Sequence, residues 1–176
     1  MNKKTILFLS VAAIAFIIWG VRVYNVNAGV AREYEIKTYQ LGETILLDNA
    51  TFRVTDLTSG QVQDADGYES FPLTVEMELQ NTSDKDISVI RIIEAKLAYG
   101  IDYYQTNEGD FDASQLQSLP PGSSVNFILT YHVEPNNLDK NPLLYIDQSL
   151  YSDQVNAKYK EGLRYGVAVE LKNHNL

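Results

Sequence analysis

No cysteine occurs anywhere in the 176 residues. That absence excludes disulfide staples, thiol nucleophiles, thiolate metal sites and lipid attachment through a cysteine. Histidine is nearly as scarce, with only His132 and His174. Two imidazoles without a thiolate make no ordinary zinc site unless carboxylates complete it. The methionines are Met1 and Met77, too few for copper capture by thioether sulfur. There is no Gly-x-Ser-x-Gly elbow, and a Ser–His–Asp arrangement has to draw on one of the two histidines. The sequence therefore points to no cofactor and to no catalytic residue.

Acid is missing from the first 32 residues, which hold Lys3, Lys4, Arg22 and Arg32. From Glu33 onward, ten basic residues face 23 acidic ones. Phosphate recognition needs a basic face, so a nucleic-acid partner is excluded for this region. By composition alone, such a domain gains nothing from anionic lipid headgroups, and its acid excess reads first as solubility.

Charge is also absent between Thr5 and Val21. Seventeen helical residues span about 26 Å, close to the hydrocarbon core thickness of about 30 Å. Lys3 and Lys4 suit one membrane interface and Trp19 the other. Two readings stand. One is an uncleaved signal anchor, with the N-terminus cytoplasmic and the acidic region extracellular. The other is a signal peptide cleaved after Ala28, behind Val26-Asn27-Ala28, which releases a secreted factor. The length of the apolar run favours the anchor, as do Arg22, Tyr24 and Asn25 between it and the cut. Both readings export the rest of the chain. The expected division is a cytoplasmic stub and transmembrane anchor over 1–22, a juxtamembrane stalk over 23–40, and a domain over 41–176. Within the stalk, "AREYEIKTYQ" is charged and suited to packing on the domain.

What the domain does contain is alternation. Leu73, Val75, Met77 and Leu79 share one strand face, with Thr74, Glu76, Glu78 and Gln80 on the other. Val125, Phe127, Leu129, Tyr131 and Val133 repeat the pattern, and Leu163, Tyr165, Val167, Val169 and Leu171 close the chain with it. Shorter alternations cover Ile45–Leu47, Phe52–Val54 and Ala95–Tyr99. "ISVIRII" resumes the apolar pattern after a polar block, Asn81 to Asp86, with its register open. Asn81-Thr82-Ser83 fits a glycosylation sequon, although Asn, Ser and Asp also bond back to their own backbone and stop a strand. "LPPGSS" is a turn, and "TNEGDFDASQLQS" is a loop with one helical turn near Ser114. No long 3.6-residue period follows residue 40. Seven or more strands with one apolar face predict an all-β, antiparallel two-sheet sandwich behind one N-terminal transmembrane helix.

"YQLGETILLDNATFRVTDL", "FPLTVEMELQNTSDKDISV" and "LPPGSSVNFILTYHV" follow one another in that order. This order resembles the immunoglobulin-like (telokin-like) extracytoplasmic domains of unknown function in Gram-positive bacteria. That group is similar to the immunoprotective extracellular antigen family of mycobacteria. The resemblance covers residues 39–135. It implies an exported Ig-like sandwich behind a signal or membrane anchor, and it carries over no catalytic residue.

Three groups of residues bear on function. Asp64, Asp66 and Glu69 in "DADGYES" form a weak calcium candidate, because the ion takes six to eight oxygens and the spacing matches no calcium-loop template. Glu108, Asp110 and Asp112 form a second acidic loop, equally without a template. Aromatics crowd the second half: Tyr99, Tyr103, Tyr104, Phe111, Tyr145, Tyr151, Tyr159 and Tyr165. Most suit sandwich packing. Tyr103, Tyr104 and Phe111 are the candidate binding patch for a protein or glycan at the cell surface, since tyrosine gives contact area at low entropy cost. The sequence reading is a non-catalytic binding module held in the membrane by its helix. The alternatives are an envelope enzyme acting on glycans through a carboxylate pair, or the secreted factor.

Overall fold

The computed structural model describes residues 2–65 and 67–172. Helix α1 runs over Lys3–Asn27, has no buried residue, and is long and apolar enough to cross a membrane. Its 25 residues span about 38 Å, enough to clear the hydrocarbon core and reach the headgroup layer. The strands are β1 (Glu33–Gln40), β2 (Ile45–Leu46), β3 (Ala50–Ser59), β4 (Gln63–Ala65), β5 (Tyr68–Asn81), β6 (Lys96–Tyr99), β7 (Asp102–Tyr104), β8 (Gly109–Asp110), β9 (Ser124–Val133), β10 (Leu143–Tyr145) and β11 (Leu163–Glu170). Two further helices are α2 (Ala113–Gln117) and α3 (Ser152–Lys160).

The strands make the expected two-sheet sandwich. One sheet has the order β1-β11-β10-β6-β7, the other β2-β3-β5-β9-β8, with β4 paired to the start of β5. The centre of the second sheet is the longest ladder. Leu73, Val75, Met77 and Leu79 stand opposite Tyr131, Leu129, Phe127 and Val125. All eight are buried. Each pair fills the space between sheets from directly opposed positions, which is the unit of sheet stabilisation.

One pairing breaks the antiparallel rule. β1, from the segment that reads as a stalk, lies parallel to β11 in register from Glu33↔Leu163 to Gln40↔Glu170. A parallel pair needs a long connection between its strands. Here nearly the whole domain is that connection, so the first and last strands meet at an edge without a short loop to dictate direction.

Two elements differ from the periodicity. "ISVIRII" is not a strand. It makes one isolated bridge, Ile87 to Leu119, and then a 3-10 turn over Ile90–Glu94. Val89, Ile92 and Ala95 are its buried residues, and a spacing of three matches the three residues per turn of a 3-10 helix. Helix α3 was invisible for the opposite reason: it buries none of its residues, so no apolar stripe marks it. It is held from a distance. The Asp48 carboxylate accepts from the Asp153 N–H at 2.8 Å, satisfying an N-terminal amide of α3 from across the fold. At the other end Lys158 reaches Glu35 of β1 at 3.1 Å.

The polar block is organised by one side chain. Asn81 is fully buried. Its Nδ2 donates to the carbonyls of Lys85 at 2.7 Å and Leu119 at 2.8 Å, and its Oδ1 accepts from the Ser83 N–H and hydroxyl, both at 2.8 Å. All four hydrogen-bonding positions of the amide are used. The sequon is therefore closed to glycosylation in the folded domain.

Buried tyrosine hydroxyls bond backbone groups across the core and along the first sheet. The Tyr131 hydroxyl donates to the Ala95 carbonyl at 2.9 Å. The Tyr151 hydroxyl donates to the Ile146 carbonyl at 3.1 Å and accepts from the Val167 N–H at 3.0 Å. Burial holds the Tyr131 and Tyr99 hydroxyls well above the ordinary phenol range, and pushes Tyr151 up to about 12. A raised phenol pKa means that the unfolded chain ionises first. The stability these groups hold is complete below pH 10 and is lost as pH rises toward 12. We expect chemical denaturation midpoints to be flat from pH 8 to 9.5 and to fall steeply above pH 10, with slopes of about 1.4 kcal/mol per pH unit for each tyrosine that ionises only on unfolding. Midpoints that hold steady to pH 11.5 would contradict the assignment.

Candidate functional site

In the first sheet, Leu97, Leu144 and Val169 are paired across β6, β10 and β11 and point into the core. Their sequence neighbours must point outward, because side chains alternate along a strand. That places Lys96 of β6, Tyr145 of β10, and Gly166 and Ala168 of β11 on the outer face. Tyr103 of β7 joins them, paired with Ala98. Gly166 has no side chain and leaves a hollow floor, while Tyr103 and Tyr145 stand above it. Their ring centroids are 6.3 Å apart and the planes meet at 52°, so the rings form an open V rather than a stack.

The result is a groove of about 630 Å³ lined by Tyr103, Tyr145, Lys96, Gln105, Glu94, Asp147 and Gln148, with Tyr151 and Gly166 below. Its wall exists because β10 stops at Tyr145. Beyond that point the edge of β11 would keep unpaired backbone groups. The segment 146–151 turns away and satisfies them group by group: the Ile146 N–H donates to the Val167 carbonyl at 3.1 Å, the Tyr151 hydroxyl accepts from the Val167 N–H, and Gln148 Nε2 donates to the Tyr165 carbonyl at 2.8 Å.

The groove presents uncommitted groups of both kinds. Tyr103 is 60% exposed. Among the described residues, no hydrogen bond holds the Tyr103 or Tyr145 hydroxyl or the Gln105 amide, and no acid pairs with Lys96. The two acids are engaged. Glu94 pairs with Arg91, and Asp147 accepts from the Ser149 N–H at 3.0 Å as the cap of the turn Gln148–Tyr151. The Arg91 guanidinium is held above its ordinary range by Glu94 first, with a smaller contribution from Asp147. Negative and positive charge are thus balanced around the two rings.

The candidate patch of Tyr103, Tyr104 and Phe111 is divided by the fold. Consecutive residues on β7 face opposite ways. Tyr103 opens onto the groove, whereas Tyr104 turns inward, edge-on to Tyr99 at 6.0 Å, and its hydroxyl accepts from Asn137 Nδ2 at 2.9 Å. Phe111 packs against the core. The partner that the spacing did not reveal is Tyr145, some forty residues on. It carried a signal only as one more tyrosine on the polar side of a short strand.

The calcium candidate is only partly described. Asp64 and Glu69 lie opposite each other on β4 and β5, and Asp64 Oδ1 accepts from the Gly67 N–H at 2.8 Å. Asp66 lies outside the described residues. Among the described residues no group of three His, Cys, Asp or Glu could hold a metal ion. In the second acidic loop, Glu108 meets His132 at 3.0 Å and Asp112 caps α2 through the Ser114 N–H at 2.8 Å. His174 lies outside the described residues.

No family profile and no curated protein matches the chain. Among solved structures, the fold is similar to that of an uncharacterized β-sandwich protein from Clostridium difficile 630, with 12% identity and a TM-score of 0.53 over 80% of this chain and 97% of that one. It is also similar to the yjhA protein of Bacillus subtilis, with 17% identity and a TM-score of 0.50 over 76% of this chain and 99% of that one. These likenesses concern the fold alone, a β-sandwich shared with the two bacterial proteins.

Proposed function

We propose that this is a single-pass membrane protein, N-terminus cytoplasmic, whose extracellular Ig-like sandwich binds a protein or glycan partner and performs no catalysis. The proposal keeps 1–22 as stub and anchor, and takes the Tyr103–Tyr145 groove as the binding site. The observation that carries it is the pair of inclined, solvent-facing rings above a hollow floor, beside Lys96 and Gln105, whose polar groups have no partner among the described residues. Such rings offer rigid contact area, and the free amide, hydroxyl and ammonium groups supply orientation. The lysines before α1 and the acid excess beyond it support the orientation.

The test is crosslinking on intact protoplasts, comparing the native chain with Tyr103→Ala. A ring at the centre of an interface contributes about 2 kcal/mol, so capture should fall by about thirtyfold at limiting partner. Undiminished capture would remove the groove from the interface, and full protection of the domain from added protease would overturn the orientation. One observation favours a second reading: Glu94 and Asp147 line the same groove, as a glycan-acting carboxylate pair would. Their engagement with Arg91 and Ser149 argues for a structural role. Hydrolysis of cell-wall glycan by the purified full-length chain, abolished by Glu94→Gln, would establish the enzyme instead.

A further inference from the structure

The end where α1 enters carries Arg32, Lys158, Lys160 and Arg164 against Glu33, Glu35 and Glu161, a balance of one positive charge beside the acid excess of the whole domain. Ala31 is fully buried, and its carbonyl accepts from Arg164 Nε at 3.0 Å. The Arg32 N–H donates to the Gly162 carbonyl at 3.3 Å, at the turn between α3 and β11. The chain is therefore pinned to the domain from Ala31 onward. Only Ala28, Gly29 and Val30 lie between that point and the end of α1 at Asn27. Four backbone steps reach at most about 14 Å. With α1 long enough to end in the outer headgroup layer, Ala31 and the α3–β11 turn it bonds to stay within about 14 Å of that layer.

The side chains at this base have the composition of an interface. Tyr34 is 71% exposed and Tyr159 45% exposed. Arg164 lies over the Tyr34 ring, 5.2 Å from its centroid. Arg32 and Lys160 are exposed, and neither pairs with an acid among the described residues. Lys158 is already shared between Glu35 and Glu161. Free cations with exposed tyrosines are what a headgroup layer selects. The rest of the domain, rich in unpaired acid, is repelled by the same surface.

We propose that the base formed by Arg32, Tyr34, Tyr159, Lys160 and Arg164 docks on the anionic headgroup layer of the membrane that α1 crosses. The anchor then does not leave the domain free to tumble on a tether. It sets the domain upright, with β1 and β11 rising from the surface and the groove held to one side. Composition alone pointed the other way, because it averaged this base with the acidic remainder.

The cysteine-free chain allows a clean test. Single cysteines are introduced at Tyr159 and, as a distal control beyond the far end of β10, at Asn141. The full-length chain is labelled with a fluorophore and reconstituted into phosphatidylcholine vesicles with or without one quarter phosphatidylglycerol. Lipids bearing a nitroxide on the headgroup act as quenchers. In phosphatidylglycerol vesicles the label at 159 should be quenched severalfold more than the label at 141. Adding Arg32→Glu and Lys160→Glu should lower the docked-to-undocked ratio by at least about fivefold per residue in those vesicles, and change it little in pure phosphatidylcholine. Equal quenching at 159 and 141, or quenching at 159 that ignores the charge reversals in phosphatidylglycerol vesicles, would overturn the proposal. Thermal unfolding of the variants at unchanged temperature separates loss of docking from loss of fold.

Discussion

Asn81→Asp is expected to destabilise the domain by about 3–5 kcal/mol, because it places a carboxylate where the native amide donates twice. The side chain is fully enclosed, and its Nδ2 faces the carbonyls of Lys85 and Leu119. An aspartate of the same shape turns both donations into oxygen–oxygen repulsions and buries a charge. Asn81→Leu should cost less, about 2–3 kcal/mol, since it leaves the two carbonyls unpaired without adding charge. Urea denaturation at pH 7.5 reads the difference. If the two variants lose equal stability, the amide is only filling space and its bonds carry little. The aspartate variant alone should recover stability as the pH is lowered through the carboxyl range. Its carboxyl pKa is raised by burial against two carbonyls, so protonation restores a donor in the folded state before the unfolded chain takes up its proton.

Tyr151→Phe is the second large effect, expected at about 2–3 kcal/mol for the loss of one hydroxyl group. An ordinary buried tyrosine hydroxyl serves one partner. This one serves the Ile146 carbonyl and the Val167 N–H together, in place of the strand that β10 does not continue. Removing it leaves two backbone groups unpaired at about 1–3 kcal/mol each before relaxation. Hydrogen exchange locates the damage. The Val167 amide should lose protection by at least tenfold more than the Val75 amide in the centre of the other sheet. A uniform loss across both would mean that Tyr151 contributes through general packing. The variant also reports on the groove, since Tyr151 lines its base.

The sequence made β5 and β9 plain because each keeps alternation through its central stretch. β5 and β9 show Leu73–Leu79 and Val125–Val133 as unbroken stripes, and the stripes face each other in the structure. The polar block was also legible as punctuation, since Asn81 and Ser83 bond within five residues of each other. What was not legible depends on distant partners. Residues 89–95 carry apolar side chains densely enough to imitate a strand, and only the contacts of Val89 with residue 116 reveal their spacing of three. Helix α3 has only Val155 packed against the core and is capped by Asp48, a hundred residues upstream. The groove draws on β6, β7, β10 and β11 at once, so no stretch of chain contains it. Two adjacent tyrosines on β7 looked like one feature, and pleating sent them to opposite sides of the sheet.

The parallel register of β1 and β11 governs how the domain bears load. Under the proposed function, a pull on a partner held in the groove passes as tension between the membrane helix and the start of β1. It runs along the axis of that strand and crosses sideways into β11, next to β10 and the groove. Eight registered residue pairs join the two strands. A pull along the strands stretches the bonds between them together, in shear. A hairpin tether in the same place would be peeled open one pair at a time. The edge strand that joins the domain to its anchor is therefore loaded in shear across all eight pairs at once.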